Sequence, residues 1–239
     1  MSFLKAEWRK LAIANFVIDP KILQEYLPAG TELDYWNEKC YISLVGFLFK
    51  NTKILGAKIP YHVNFEEVNL RFYVKRWVNN EWRRGVVFIK EIVPKPALAI
   101  IANTIYKEHY ESLPMTHSWT EELHSRSVEY KWKKDSKWQG FKVKAEKQSS
   151  EISQGSEAQF ITEHYWGYTQ INDKKSNEYE VTHPQWEAYK VLDFQISVDF
   201  GLTYGENFRF INDLKPSSVL LTEGSDITVE NKSSIGPYL

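Results

Sequence analysis

The chain of 239 residues carries a net charge of −1, with 43% hydrophobic and 26% charged residues, a balance that suits a folded globular protein. Its lysines and arginines are dispersed among acids, which leaves no basic stripe for nucleic acid and no polybasic segment for an anionic membrane. The single cysteine, Cys40, rules out an intramolecular disulfide and fits a reducing compartment.

The opening segment MSFLKAEWRK has charges at Lys5, Glu7, Arg9 and Lys10, where a secretory leader needs an apolar core. No run approaches the ~18 apolar residues of a membrane span. A cytoplasmic location is expected. Residues 11–17 (LAIANFV) suit a strand. Asp19-Pro20 then reads as a helix start, with Asp19 as the N-cap and proline at the first helical position. Ile22, Leu23, Tyr26 and Leu27 follow at helical spacing. Residues 40–49 (CYISLVGFLF) read as a nearly all-apolar strand, expected to be buried on both faces.

The centre of the chain is a predicted hairpin. Over residues 67–74, Val68, Leu70, Phe72 and Val74 fall on one face and Glu67, Asn69, Arg71 and Tyr73 on the other. Asn79-Asn80 supplies a two-residue turn, because Asn tolerates the positive φ that such turns require. That turn pairs Trp77 with Trp82, Arg76 with Arg83 and Lys75 with Arg84. An unbroken register continues to Asn69 opposite Lys90. Glu67, Asn69, Arg71 and Lys90 then share a face with Val86, Phe88 and Ile92, while Glu91 points the other way beside Val68. The returning strand is apolar on both sides, so the mixed face reads as a cavity lining rather than an outer surface. Pro94-Lys95-Pro96 ends the strand, holds Lys95 extended and starts a helix over residues 97–106.

Beyond that helix the patterns are β again. Strands are expected over 127–133 and 141–146, a loop over 147–157, and further strands over 160–168, 180–183, 192–198, 219–221 and 227–229. Residues 223–226 read as a turn. About ten strands and two or three helices, with neither a repeat nor a boundary, predict one domain over residues 1–239, a mainly β (β or α+β) antiparallel barrel or clam.

The order of AEWRKLAIANFVIDPKILQEYLPAGTELD, NFEEVNLRFYV, GVVFIKEI, ITEHYWGY and THPQW spans nearly the whole chain. It resembles the YqjF-like uncharacterised bacterial family, which is similar in fold to acetoacetate decarboxylase. The resemblance implies a single β domain around a small-molecule cavity. In acetoacetate decarboxylases a lysine forms a Schiff base with the keto acid and a neighbouring lysine activates it, in an Arg-Glu-Ile, Gly, aromatic, Pro-Lys-Lys pattern. This chain has Lys90-Glu91-Ile92-Val93-Pro94-Lys95-Pro96. The resemblance therefore implies Glu91 for the family's glutamate, Lys95 for the Schiff-base lysine, and Glu67 for an acidic residue ahead of the early strand. The departures are Lys90 in place of arginine, Val93 alone for the Gly-aromatic step, and Pro96 in place of the activating lysine.

As a catalytic amine Lys95 needs burial or a neighbouring cation, since a helix N-terminus offers only about 0.3–1 kcal/mol at an exposed site. Its alternative is a solvated connector. Glu163 and His183 could serve as acid and base in one cavity, or His183 could be a core residue with its hydrogen bonds satisfied. Trp186 reads as core or pocket wall. The six histidines show no i,i+4 pair and one cysteine cannot make a thiolate cluster, so no metal site is expected. With no Gly-rich phosphate loop, no cofactor is expected either, and no Gly-x-Ser-x-Gly elbow is present.

Three readings remain open. In the first, a cavity lined by Glu67, Asn69, Arg71 and Lys90 binds a small anionic or carbonyl-bearing molecule. In the second, a lyase or hydrolase acts on a small keto acid through Lys95 or Glu/His groups. In the third, a structural or interaction protein without a ligand fills the cavity with its own side chains. A homo-oligomer is compatible with each.

Overall fold

The computed structural model describes residues 2–105 and 107–236. Strands dominate, as the alternation requires. They are β1 (Leu4–Ile18), β2 (Glu32–Leu33), β3 (Cys40–Ile54), β4 (Phe65–Val78), β5 (Glu81–Val93), β6 (Tyr110–Ser112), β7 (Met115–Glu121), β8 (Ser125–Lys134), β9 (Lys137–Glu151), β10 (Trp166–Asn172), β11 (Lys175–Thr182), β12 (Glu187–Ser197), β13 (Ser218–Val229) and β14 (Ser233–Ile235). The α-helices are α1 (Pro96–Ile105), α2 (Glu157–Thr162) and α3 (Phe200–Tyr204). Two 3-10 helices cover Pro20–Tyr26 and Glu206–Asp213. Asp19 caps the first by accepting from the Lys21 amide, with Pro20 at its start, as the Asp-Pro pair predicts.

All these strands belong to one sheet. β11 pairs with β10 on one side and meets β13 on the other, through Val181↔Val229 and Thr182↔Thr228. Strands β1, β3, β4, β5, β10, β11 and β13 therefore close into a ring, which hides its own edges. From β13 the sheet continues through β12, β9, β8 and β7. That extension packs on the ring's outside, where Leu44, Leu70, Phe72 and Val87 meet Tyr130, Trp132 and Phe141. A second apolar cluster (Leu11, Val45, Phe47, Phe65, Val86) fills part of the inside. Because β3 contributes to both clusters, residues 40–49 are buried on both faces, as expected.

The β4–β5 turn forms as predicted, with φ of 51° at Asn79 and 64° at Asn80. Trp77 and Trp82 meet edge-to-face with ring centroids 4.9 Å apart. Glu178 relieves the apposition of Arg76 and Arg83 by accepting from both, at 3.1 and 3.2 Å. The pairing holds to Arg71↔Phe88 and then slips by one, so that Leu70 opposes Lys90 and Asn69 opposes Glu91. Ile89 is the extra residue of a β-bulge. A one-residue slip exchanges faces for everything beyond it. Lys90 therefore turns outward, donating to Glu111 (3.0 Å) and to the Thr203 carbonyl (2.7 Å). Glu91 turns inward. The expected placements of these two residues are reversed.

Other local readings also shift. Residues 160–168 do not make one strand: Ser156 caps α2 by accepting from the Gln159 amide, and β10 starts only at Trp166. The polar run predicted as a loop from 147 extends β9 instead, because Ser149, Ser150 and Glu151 find backbone partners on β12. Residues 223–226 do not break β13; Gly224 absorbs the distortion at φ +80°, where a Cβ would stand 2.1 Å from the Trp8 carbonyl. The predicted helix 97–106 forms as α1, and its last residue lies outside the described residues. Among the described residues no helix is long and apolar enough to cross a membrane.

Candidate functional site

The ring encloses a cavity of about 140 Å³. Strand β4 supplies its polar floor, because inward positions recur every second residue, roughly 7 Å apart: Glu67, then Asn69, then Arg71. Glu67 accepts from Asn69 Nδ2 (3.0 Å) and from the Tyr110 hydroxyl (3.2 Å). Glu108, in the segment after α1, accepts from the Thr169 hydroxyl (2.6 Å) and the Tyr179 hydroxyl (2.9 Å). Glu91 comes in beside Asn69 because of the Ile89 bulge. All three glutamates are buried.

Burial sets their chemistry. It pushes Glu67 up to about 7, against the donors Asn69 and Tyr110. It pushes Glu108 up to about 7, against Thr169 and Tyr179. Glu91 is held well above the usual carboxylate range by burial, with repulsion from Glu108 and Glu67 adding to it. A neutral carboxyl can donate a hydrogen bond as well as accept one, so at neutral pH this end of the cavity offers the proton of Glu91 and a share of those on Glu67 and Glu108.

The opposite end is basic. Arg71 follows Glu67 by four residues on β4, its Cα roughly 13 Å along the extended strand, and its charge still reaches the Glu67 carboxyl and acts to lower it. It donates to the Ile161 carbonyl at 3.5 Å and makes no ion pair among the described residues, and its Nε has no partner. His164 follows α2, with Nε2 3.2 Å from Asp34 Oδ2 and Nδ1 without a partner. His183 bonds the Pro184 carbonyl through Nδ1 (2.9 Å) and stacks on Trp186 at 4.2 Å. Trp186 is anchored by donating to the Ser225 hydroxyl (2.9 Å). Burial lowers the pKa of His183, with the nearby Arg71 charge contributing, so the ring stays neutral.

Of the residues singled out from sequence, the structure brings Glu67, Asn69, Arg71, Glu91, His183 and Trp186 into the cavity wall. Lys90 is outside it, for the register reason given. Lys95 is half-buried at the head of α1, its carbonyl accepting from the Leu98 and Ala99 amides. The helix sets Leu98, Ile101 and Ala102 against the cavity, and among the described residues no lysine lines it. Glu163 caps the end of α2, engaged by Gln159 and Gln185, and does not line the cavity. Its neighbour His164 does.

Glu108, Tyr110 and His164 escaped sequence reasoning. Glu108 and Tyr110 lie where no period marks an inward face, and His164 falls in a stretch whose pattern reads as a strand but folds as a helix end and connector. Among the described residues no group of three or more His, Cys, Asp or Glu side chains could hold a metal ion.

A family model described as "Uncharacterized conserved protein (COG2071)", DUF2071, matches residues 5–226. The chain belongs to the DUF2071 family. Uncharacterized protein YqjF of Bacillus subtilis (strain 168) is 24% identical to this DUF2071 chain over 226 residues, covering 91% of it and 89% of YqjF. Acetoacetate decarboxylase from Legionella pneumophila superposes with a TM-score of 0.66 at 12% identity, over 98% of this chain and 88% of that one. The enduracididine biosynthesis enzyme MppR complexed with pyruvate superposes with a TM-score of 0.69 at 10% identity, over 100% and 93%. The DUF2071 chain therefore has the acetoacetate-decarboxylase-like fold that its motifs implied. At these identities the likeness carries the fold and no chemistry.

Proposed function

We propose that the cavity binds a small oxo acid, its carboxylate at Arg71 and its carbonyl toward the neutral carboxyls of Glu67, Glu91 and Glu108. One observation carries this reading: Trp8 Nε1, Asn69 Oδ1, Arg71 Nε, Glu91 Oε2 and His164 Nδ1 are buried without a hydrogen-bond partner, and all five residues line one cavity. Buried polar groups are nearly always satisfied, and each left unmade costs about 1–3 kcal/mol. A guanidinium buried without a counter-ion costs more. A monoanion that also accepts hydrogen bonds would satisfy the donors Trp8 Nε1, Arg71 Nε and the protonated Glu91 carboxyl, and would leave the acceptors Asn69 Oδ1 and His164 Nδ1 facing its C–H groups.

Size supports a small ligand. A dry cavity of roughly 150 Å³ takes up benzene, and pyruvate likewise has about six non-hydrogen atoms. MppR, of like fold, is complexed with pyruvate. The free cysteine, buried in the core, is in keeping with a cytoplasmic protein.

Saturation-transfer NMR with pyruvate, 2-oxobutanoate and acetoacetate tests the reading, with Arg71→Met as the control that loses binding. If none of these acids binds more tightly than about 1 mM, about −4 kcal/mol, the reading fails. An amine-based lyase would instead use Lys95, the nucleophile that the family resemblance implies. Borohydride trapping with the same acids decides between them, since a covalent adduct absent from Lys95→Ala would favour the lyase.

A further inference from the structure

We infer that His164 is the general base of this cavity, its Nδ1 removing a proton from the carbon beside the carbonyl of an oxo acid held at Arg71. The inference rests on the oxo-acid reading above and adds an activity to it, carbon-acid deprotonation, that uses no lysine.

The first support is the orientation of the ring. Asp34 Oδ2 lies 3.2 Å from His164 Nε2 and also accepts from Arg84 Nε at 2.7 Å, while Oδ1 accepts the Tyr35 amide at 3.1 Å. Burial opposes the charge on Asp34, but His164 and Arg84 outweigh it and hold the carboxyl below its ordinary range. An ionised carboxylate only accepts, so the proton of a neutral imidazole belongs on Nε2 and the lone pair on Nδ1. That Nδ1 is buried, has no partner, and belongs to a cavity-lining residue whose side chain is 1% exposed.

The second support is rigidity. The flanking amides are tied down, Glu163 N to the Gln159 carbonyl (3.0 Å) and Tyr165 N to the Arg84 carbonyl (3.1 Å). The ring packs against Tyr73 and Phe160, at centroid distances of 4.8 and 4.9 Å. The third is position. Arg71 donates to the carbonyl of Ile161, three residues before His164, so the anion site and the base share one wall. Burial, helped by the charges of Arg84 and Arg71, lowers the imidazole to about 4 despite Asp34, so the ring is unprotonated at neutral pH but a weaker base than a free imidazole, and its catalytic role rests on its orientation and position.

The step balances within the site. The C–H bond breaks as N–H forms on Nδ1, and the electron pair moves to the carbonyl oxygen. A protonated carboxyl of the glutamate cluster gives that oxygen its proton, leaving an enol, a carboxylate and an imidazolium that Asp34 faces. Reversal returns the oxo acid, so no co-reactant is consumed. In D2O, exchange of the Nδ1 proton with solvent before reversal returns deuterium to the carbon.

The test follows the methyl signal of pyruvate by 1H NMR in D2O with the full chain, and pyruvate binding by saturation transfer in the same samples. The wild type is expected to exchange the methyl protons. His164→Gln is expected to bind pyruvate and exchange at least ~100-fold more slowly. Asp34→Asn, a positioning variant, should lower kcat for exchange with KM little changed. If pyruvate binds but the wild type does not exchange it, or His164→Gln exchanges at the wild-type rate, the base assignment is overturned while the anion site stands. If pyruvate does not bind the wild type, the oxo-acid reading falls and takes the base with it. Should the variants fail to fold, the 15N signals of His164 in the wild type report the tautomer directly. Nε2–H is expected, and Nδ1–H would overturn the assignment.

Discussion

Replacing Glu67 by Gln should remove a large part of the pH dependence of stability. Glu67 is 2% exposed in a wall of aromatic side chains, and burial raises it from 4.5 to about 7. Its folded-state value lies above its unfolded one, so the folded state binds the proton more tightly. The stabilisation is fully present below about pH 4.5 and is lost as pH rises through about 7. At about 1.4 kcal/mol per pH unit, that interval amounts to about 3 kcal/mol. Gln mimics the neutral carboxyl and cannot ionise, so Glu67→Gln should lose less stability than the wild type as pH rises, the remaining decline coming from Glu108 and Glu91. Urea unfolding followed by tryptophan fluorescence from pH 5 to pH 9 measures the difference. With an m-value of about 3 kcal/mol/M, the two midpoints should diverge by ~1 M across the range. Parallel curves would show that Glu67 ionises in the folded state at no cost, and the account of the cluster as neutral donors would collapse.

Arg71→Met should raise the melting temperature while abolishing pyruvate binding, since an unpaired buried charge is replaced by an apolar chain of similar length; a lowered melting temperature would mean that the guanidinium is structurally paired. Pyruvate affinity should fall as pH rises through about 7, where Glu67 and Glu108 take on charge, and calorimetric titrations at pH 6 and pH 8 would show it. Gly167→Ala places a Cβ 2.2 Å from the Tyr179 ring, which must move off Glu108; a loss of about 1–3 kcal/mol is expected in chemical denaturation. Deleting Ile89 makes the ladder regular and leaves Lys90 opposite Leu70 and Glu91 opposite Asn69, so the variant should keep both side chains on their faces and retain a cooperative transition in chemical denaturation; loss of that transition would refute the bulge assignment.

How much of this was legible depends on the range of the interactions involved. The inward face of β4 was readable because alternation is local: Glu67, Asn69 and Arg71 stand two apart between Val68, Leu70 and Phe72. The Asn79-Asn80 turn was readable because the demand for positive φ is met by the residues of the turn itself. The bulge at Ile89 was not. Lys90 faces outward where Glu111 and the Thr203 carbonyl are, and neither partner is near it in sequence. His164 was obscured by a competition that FITEHYWGY alone leaves undecided, which the Ser156 cap and the Arg84 carbonyl resolve into a short helix followed by a strand.

The sequence by itself determined a mainly β chain, its family, the central hairpin, and half of a polar cavity wall, because periodicity and turn chemistry act over a few residues. Closure of the ring through β11 and β13, the inward turn of Glu91, the arrival of Glu108 and Tyr110, and the Asp34–His164 pair were decided only in three dimensions. Each depends on a partner tens of residues away, and burial inside the closed ring is what gives these glutamates and histidines their unusual protonation.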